Sequence, residues 1–224
     1  MPGSSITGKL QIIEWFNELK GIKSVLDIGP GWATYAKLLS NKNLNFDAVE
    51  VCERYVKLFN LNKYYKSVYN TDICDFVFLK KYDVVILGDI LEHLSDKDTE
   101  TVLKKILNNC RYCLVSLPLD AEAGVEDDCD NSSNYWQNSY EKHLTFWSNK
   151  KFINFVNLCD GEIIGLKKFS NIAVYLLTKD SKNYLTEKVS LLDKLKHRKL
   201  SFDVQFNLFY QPLKFIKRKI EKII

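Results

Sequence analysis

The chain has 224 residues, of which 46% are hydrophobic and 27% charged, and its formal net charge at pH 7 is +4. This length allows one well-buried domain with some appended structure but is short for two full domains. The composition excludes disordered, collagen-like and low-complexity proteins. No stretch approaches the roughly 18 to 20 consecutive apolar residues that cross a bilayer, and residues 1–9 lack an apolar run of signal-peptide length, so we expect a cytoplasmic protein.

Positive charge is concentrated at the C-terminal end. Residues 194–224 hold nine Lys or Arg and two acids, a local charge of 9 − 2 = +7 that leaves 4 − 7 = −3 for the rest. The six cysteines are scattered through apolar segments, which favours reduced thiols in a reducing compartment. Cys110 and Cys113 have CxxC spacing, but no second pair or nearby histidine completes a zinc site, so we interpret them as thiols entering a core strand.

Apolar spacing predicts alternating helices and strands through the first 118 residues. The predicted elements are helix 10–19, strand 24–28, helix 34–39, strand 46–51, helix 53–61, a short strand near Val68, strand 82–87, helix 96–109 and strand 112–117. Strands separated by helices of this length indicate a parallel sheet with helices on both faces.

The alternation stops after Pro118. Residues 120–142 are polar, acidic and aromatic without periodicity, which is typical of an inserted functional loop. A helix at 149–158 resumes the fold, and strands at 162–168 and 172–178 form a hairpin. We therefore expect an α/β domain at 1–180 with a mostly parallel seven-stranded sheet closed by an antiparallel hairpin, a substrate-side loop at 119–147, and a basic tail of two amphipathic helices at 181–224.

The strongest motif is V-L-D-I-G-P-G-W-A at 25–33, a strand followed by a glycine turn that opens a helix. Gly29 and Gly31 suit a turn with unusual dihedral angles that a cofactor must approach closely. The segment resembles the first motif of class I S-adenosylmethionine-dependent methyltransferases, with Ala33 as the small residue at the third glycine position. A dinucleotide site is disfavoured, because Asp27 would repel pyrophosphate but suits the amino and sulfonium groups of S-adenosylmethionine.

Two further acids match the order of that family. Glu50 follows the second strand about 20 residues after the glycines, where it can accept both ribose hydroxyls; the alternative is a solvated acid beside Glu53. The resemblance assigns the Asp72 carboxylate to the exocyclic amine of adenine and the backbone amide of Ile73 to the adenine ring. S-adenosylmethionine is therefore the expected cofactor.

The segment from Tyr82 to Leu94 resembles the fourth-strand motif D-x-V-x-x-x-x-x-L-E-H-L of small-molecule methyltransferases. The resemblance covers about residues 24–118, and it implies that Gly88, Asp89 and Ile90 line the methionine and sulfonium region. His93 is then either a base facing the substrate or a structural residue at the start of a helix.

A fourth segment, at 135–148, carries a His-x-x-Phe-Trp pattern that recurs in methyltransferases of sugars, lipids and quinones. We expect His143 to act as general base, since imidazole can take the proton from an attacking alcohol; the alternative is a histidine that holds the loop by a hydrogen bond. The aromatic residues proposed to bind the substrate are Tyr135, Trp136, Tyr140 and Trp147, although aromatic residues in such loops also close cores.

The remaining features predict partners. The acidic run at 120–130 resembles a solvated loop more than a preorganised metal site, so no metal is expected. The amphipathic segment at 208–220 has three candidate roles: docking or homodimerisation, which is the commonest, peripheral contact with an anionic membrane, and nucleic-acid binding, which the lack of a base-reading module disfavours.

His93 and His143 favour an alcohol acceptor. The layout is similar to that of small methyltransferases of bacterial surface-polysaccharide and antibiotic-sugar pathways, which implies O-methylation of a sugar, sugar nucleotide or phosphorylated (for example phosphoramidate-type) capsule precursor. An RNA methyltransferase is disfavoured because Gly88-Asp89-Ile90-Leu91 stands in place of Asp/Asn-Pro-Pro-Tyr/Phe. A non-catalytic protein of this fold is disfavoured because the glycine turn and the ribose acid are both present.

Overall fold

Helices and strands alternate along the chain in a computed structural model that describes residues 7–119, 142–182 and 184. The helices are α1 Lys9–Glu18, α2 Thr34–Leu38, α3 Glu53–Leu58, α4 Asp96–Asn109 and α5 Asn149–Leu158. The strands are β1 Ser24–Ile28, β2 Asn45–Val49, β3 Ser67–Tyr69, β4 Tyr82–Gly88, β5 Cys110–Pro118, β6 Glu162–Phe169 and β7 Ile172–Thr178. These bounds confirm the predicted element order.

The ends of several elements have identifiable local causes. Ser95 caps α4 by accepting a hydrogen bond from the Asp98 amide, and Ser148 caps α5 in the same way. We predicted that the third helix would run to Leu61, but α3 ends at Leu58, because Asn60 adopts a left-handed backbone with φ of 50°.

The strands form one seven-stranded sheet in the order β3-β2-β1-β4-β5-β7-β6. Strands β1 to β5 are mutually parallel, whereas β7 runs antiparallel between β5 and β6. Every residue of β7 is buried, but β6 lies at the sheet edge and is partly exposed. The predicted parallel sheet with a terminal antiparallel hairpin is therefore confirmed.

The two faces of the sheet pack against different helices. On one face, Leu26 of β1 and Leu87 of β4 join a hydrophobic core with Leu103 of α4 and Phe152 of α5. On the other face, the side chain of Trp15 in α1 packs closely over Gly165. Burial on both faces accounts for the nearly continuous apolar sequences of the central strands.

Among the helices of the described part of the chain, none combines the length and apolar character needed to span a bilayer. Most of the predicted substrate-side loop and nearly all of the tail at 181–224 lie outside the described residues.

Asp83 joins the starts of three parallel strands. Its Oδ2 accepts hydrogen bonds from the backbone amides of Lys23 at 2.9 Å and Ser24 at 3.0 Å. Arg111 of β5 donates to Oδ1 at 3.3 Å. Burial raises the pKa of Asp83, but these hydrogen bonds outweigh it, so the pKa lies below its usual value.

Replacing Asp83 should therefore loosen this end of the sheet. Asp83→Ala removes the acceptor of two backbone amides, and we expect the free energy of unfolding to fall by about 1 to 3 kcal/mol in urea denaturation. Glu100→Ala is the control, because it removes a surface ion pair with Lys104 and should change stability by less than about 0.5 kcal/mol. Equal losses in the two variants would show that Asp83 does not join these strands.

Candidate functional site

A cavity of about 630 Å³ opens at the carboxyl edge of the sheet. It lies beside the ends of β1 and β4, where the chain order in the sheet reverses, which is the usual ligand site of an open α/β sheet. The site residues predicted from sequence that line it are Gly29, Gly31, Glu50, Asp72, Ile73, Gly88, Asp89, Ile90, His93 and His143. The structure thus brings together residues from four strand ends and from the segment before α5.

The glycine turn after β1 forms one wall. Gly29 has a φ of 62° and Gly31 of 49°, in the left-handed region that side chains rarely adopt. A Cβ on Gly29 would lie 2.1 Å from Cδ1 of Ile90, so the turn has no room for a side chain there. Ala33 is fully buried where α2 begins, in agreement with the expected need for a small residue.

Glu50 follows β2 and is held by backbone amides. Its Oε1 accepts a hydrogen bond from the Cys52 amide at 2.9 Å, and the carboxylate also accepts one from the Gly31 amide. Burial raises the pKa of Glu50 above its usual value, although both hydrogen bonds oppose this shift. Glu50 is therefore fixed to the glycine turn and is not the solvated acid considered as the alternative.

Asp72 and Ile73 follow β3 at the same edge. The Asp72 carboxylate accepts a hydrogen bond from the Cys74 amide at 2.8 Å, which fixes its orientation. Asn70, which is not among the predicted site residues, donates from Nδ2 to the carbonyl of Glu50 at 2.7 Å. This bond ties the loop after β3 to the loop after β2, and its sequence signal is an amide side chain directly after a strand.

Asp89 lies at the turn that follows β4, with a φ of 56°. Its amide donates to the carbonyl of Ser116 at 3.1 Å, and its Oδ1 accepts from the Ser116 hydroxyl at 2.7 Å. Both bonds are made with Ser116 of β5. They hold the turn after β4 in place, and with it the position of Gly88 and Asp89 at the cavity wall.

Two histidines and a glutamate meet at another part of the cavity wall. The rings of His93 and His143 are T-shaped with centroids 5.1 Å apart. His93 Nε2 lies 4.0 Å from Oε1 of Glu92, and ligand atoms of all three residues lie within 4.8 Å of one another. Glu92 was part of the quoted L-E-H-L motif but was not assigned a role, because its approach to His143 depends on tertiary structure.

The segment that carries His143 is fastened to the turn before α4. The amides of Leu144 and Thr145 both donate to the carbonyl of Glu92, at 2.7 and 3.1 Å. The Thr145 hydroxyl donates to the carbonyl of Leu94 at 2.8 Å, and His93 Nδ1 lies 3.2 Å from the carbonyl of Lys142. His143 is thus positioned by its backbone neighbours.

Asp27 does not take the place expected from the sequence. It is 1% exposed, lies outside the cavity lining and accepts a hydrogen bond from the Tyr65 hydroxyl at 2.7 Å. Burial raises the pKa of Asp27 to about 7, in spite of the opposing hydrogen bond from Tyr65 and the nearby charge of Lys9. Asp27 is therefore a buried residue of β1 that is bonded to Tyr65 and does not line the cavity.

Trp147 was predicted to bind the substrate with three other aromatic residues, and this prediction is wrong. Trp147 is fully buried in the core, where it packs edge-on against Phe152 and Phe155 of α5 with centroid distances of 5.7 and 5.1 Å. A side chain without accessible surface cannot stack on a substrate. Tyr135, Trp136 and Tyr140 lie outside the described residues, as does the acidic run at 120–130.

Solved structures with a similar fold are S-adenosylmethionine-dependent methyltransferases. One from Clostridium acetobutylicum ATCC 824 has a TM-score of 0.58 at 13% identity, covering 76% of this chain and 89% of that chain. An O-methyltransferase family protein from Burkholderia thailandensis has a TM-score of 0.54 at 12% identity, covering 76% and 56%. The glycopeptide N-methyltransferase MtfA in complex with S-adenosyl-L-methionine has a TM-score of 0.55 at 10% identity, covering 79% and 88%.

These similarities confirm the predicted Rossmann-like class I methyltransferase fold. No family model matches the sequence, and no curated protein matches it either.

The raised pKa of Asp27 predicts a pH-dependent stability. The folded chain retains a proton on Asp27 up to about pH 7, whereas the unfolded chain loses it near the ordinary value of 3.8, so stability falls as pH rises between these values. Asn imitates the protonated form. We expect Asp27→Asn to gain about 1 to 3 kcal/mol relative to the native sequence between about pH 5 and pH 8.

The measurement is urea denaturation of both proteins across this range. Comparing the two proteins at each pH removes the contribution of other titrating groups. If the free energies of unfolding of the two proteins differ by the same amount at every pH, Asp27 ionises at its ordinary pKa in the folded chain.

Proposed function

We propose that the chain is an S-adenosylmethionine-dependent methyltransferase that methylates a hydroxyl of a small acceptor. The observation that carries this proposal is that two groups of residues line the same cavity. The glycine turn and Glu50 form one part of its wall, and His93 and His143 form another. This arrangement offers a cofactor site and a proton-handling site in contact with the same space.

The chain's own residues fit the cofactor. The cavity of about 630 Å³ lies within the usual range of roughly 300 to 1,000 Å³ for ligand pockets. In this proposal Glu50 accepts the ribose hydroxyls, Asp72 and the Ile73 amide hold adenine, and Gly88 and Asp89 hold the methionyl end. When bound, S-adenosylmethionine supplies a methyl group activated by its sulfonium.

His93 and His143 support an oxygen acceptor. An alcohol must lose its proton as it attacks a methyl group, and imidazole nitrogens accept protons near neutral pH. His143 is the proposed base. The hydrogen bonds from the two following amides to the Glu92 carbonyl hold its segment at the cavity wall. Alignment of donor and acceptor in one cavity supplies the remainder of the rate enhancement.

The proposed acceptor is a sugar, a sugar nucleotide or a phosphorylated precursor of a bacterial capsule or surface polysaccharide. The two imidazoles support a hydroxylated molecule, and the similarity in layout to small polysaccharide-pathway methyltransferases supports the sugar class. RNA is disfavoured by the fourth-strand sequence Gly88-Asp89-Ile90-Leu91.

The proposed place of action is the cytoplasm. The five cysteines of the described residues are free, which suits a reducing compartment. Contact of the basic tail with a membrane and formation of a homodimer stay proposals, because the segments concerned lie outside the described residues.

Calorimetric titration with S-adenosylhomocysteine tests the proposal. We expect micromolar binding by the native sequence and none of NAD, with at least about tenfold weaker binding by Glu50→Ala, which loses the ribose acceptor. Glu53→Ala is the matched control, since Glu53 is exposed and pairs with Lys57. Binding of NAD instead of S-adenosylhomocysteine, or of neither, would overturn the proposal.

His143 should affect turnover without affecting cofactor affinity. We expect His143→Ala to lower kcat by about 10² to 10⁴ in a methyl-transfer assay with a panel of hydroxylated sugar nucleotides. The affinity for S-adenosylhomocysteine, measured on the same preparation, should stay within about threefold. A similar loss in both quantities would identify His143 as structural.

A further inference from the structure

We propose that Glu92, His93 and His143 bind one divalent transition-metal ion, such as Zn²⁺ or Fe²⁺, which holds the acceptor hydroxyl. This inference rests on the proposed function for its catalytic role. It replaces the expectation from the sequence that no metal takes part, which considered the acidic run at 120–130 and not this cluster.

The three side chains are close enough for one ion. Their ligand atoms lie within 4.8 Å of one another, and His93 Nε2 lies 4.0 Å from Glu92 Oε1. Tetrahedral bonds of about 2.1 Å separate ligand atoms by about 3.4 Å. Movements of about 1 Å, within reach of small side-chain rotations, bring the donors to that separation.

The backbone already orients one ligand. His93 Nδ1 lies 3.2 Å from the carbonyl of Lys142, so this nitrogen carries the proton and donates it in the hydrogen bond. The lone pair of neutral imidazole is then on Nε2, the atom that lies near Glu92. Metal-binding histidines in proteins are commonly fixed by such a bond from the other ring nitrogen to a backbone carbonyl.

The position of Glu92 also suits a cation. The residue is 2% exposed, and a carboxylate removed from water is stabilised by a nearby positive charge. Its carbonyl accepts hydrogen bonds from the amides of Leu144 and Thr145, which tie the turn that carries Glu92 to the segment that carries His143. The cluster is therefore built from tied backbone segments and not from flexible neighbouring acids.

The donor set indicates the kind of ion and its use. Two imidazoles and one carboxylate suit Zn²⁺ or Fe²⁺ better than Mg²⁺ or Ca²⁺, which prefer oxygen ligands. Three protein ligands leave a position for a further ligand, as in catalytic sites. Because all three residues line the cavity, that position is accessible to an acceptor.

A metal ion lowers the pKa of an oxygen bound to it. With its imidazole nitrogen bound to the ion, His143 would be a ligand instead of the general base. The acceptor hydroxyl would then release its proton to solvent, and its oxygen would attack the methyl carbon. An oxygen–carbon bond forms, the sulfur–carbon bond breaks, and the bonding pair goes to sulfur. No oxidant or reductant is required, and the ion keeps its charge throughout.

The test uses the full chain, stripped with a chelator and titrated calorimetrically with Zn²⁺, with Mg²⁺ for comparison. We expect one equivalent of Zn²⁺ to bind with about micromolar or tighter affinity. Glu92→Gln, His93→Ala and His143→Ala should each weaken it at least about tenfold. In the Co²⁺-loaded protein, visible absorption typical of a low-coordinate site should appear and be lost in the same variants.

Thiols are the competing ligands, because Cys52 and Cys74 also line the cavity. The Cys52→Ser, Cys74→Ser double variant is therefore the matched control and should keep its Zn²⁺ affinity. His197→Ala, which replaces the third histidine of the chain, should keep it as well. Zn²⁺ binding that is lost in the cysteine variant but kept in the three cluster variants would overturn the proposal, as would binding weaker than about 100 μM.

S-adenosylhomocysteine binding by each variant separates the two proposals. Retained binding shows that the cavity is folded, so that a loss of Zn²⁺ affinity belongs to the cluster. If the chain binds S-adenosylhomocysteine but not Zn²⁺, the metal-site proposal is overturned and the methyltransferase proposal stays in place. Binding of Zn²⁺ without S-adenosylhomocysteine would remove the methyltransferase proposal and leave the metal site without its assigned role.

Discussion

The pairing of β1 with β2 on one side and β4 on the other is the constraint on which the cavity depends. The connections after β1 and β4 leave the sheet in different directions, so their backbones separate and leave a crevice between them. The residues that line the cavity immediately after a strand are Gly29 after β1, Glu50 after β2 and Asp89 after β4. A change in strand order would scatter these residues, whatever their identity.

This dependence explains why the sequence predicted which residues would gather beside the glycine turn. Each residue there lies next to a strand end, and parallel strands place their carboxyl ends at one edge of the sheet. Asp27 is the exception. It lies inside β1 on the face opposite Leu26 and Ile28, and its position depends on Tyr65, 38 residues away. The sequence motif places Asp27 in β1, but it does not indicate that Tyr65 packs on the same face of the sheet and binds the carboxyl group there.

The histidine side of the cavity was harder to predict, because it is assembled by contacts over long sequence separations. The bond between His93 and the Lys142 carbonyl spans 49 residues. Nothing local in the sequence indicates that the segment before α5 docks on the turn before α4. The same docking buries Trp147 beside Phe152, so an aromatic residue that resembled part of a substrate wall belongs to the core.

The cavity region carries an unusual load of buried acid. Asp27, Glu50 and Glu92 are each no more than 5% exposed, and burial raises the pKa of the first two. Carboxylates in such surroundings favour positively charged ligands. Under the proposed function the reactant carries a sulfonium charge that the thioether product lacks, so an ionised Glu50 holds the reactant more strongly than the product. Asp27 adds little to this preference, because it keeps its proton up to about pH 7. A cation at Glu92 would limit this preference to the side of the cavity beside the glycine turn, where Glu50 favours release of the product once the charge is gone.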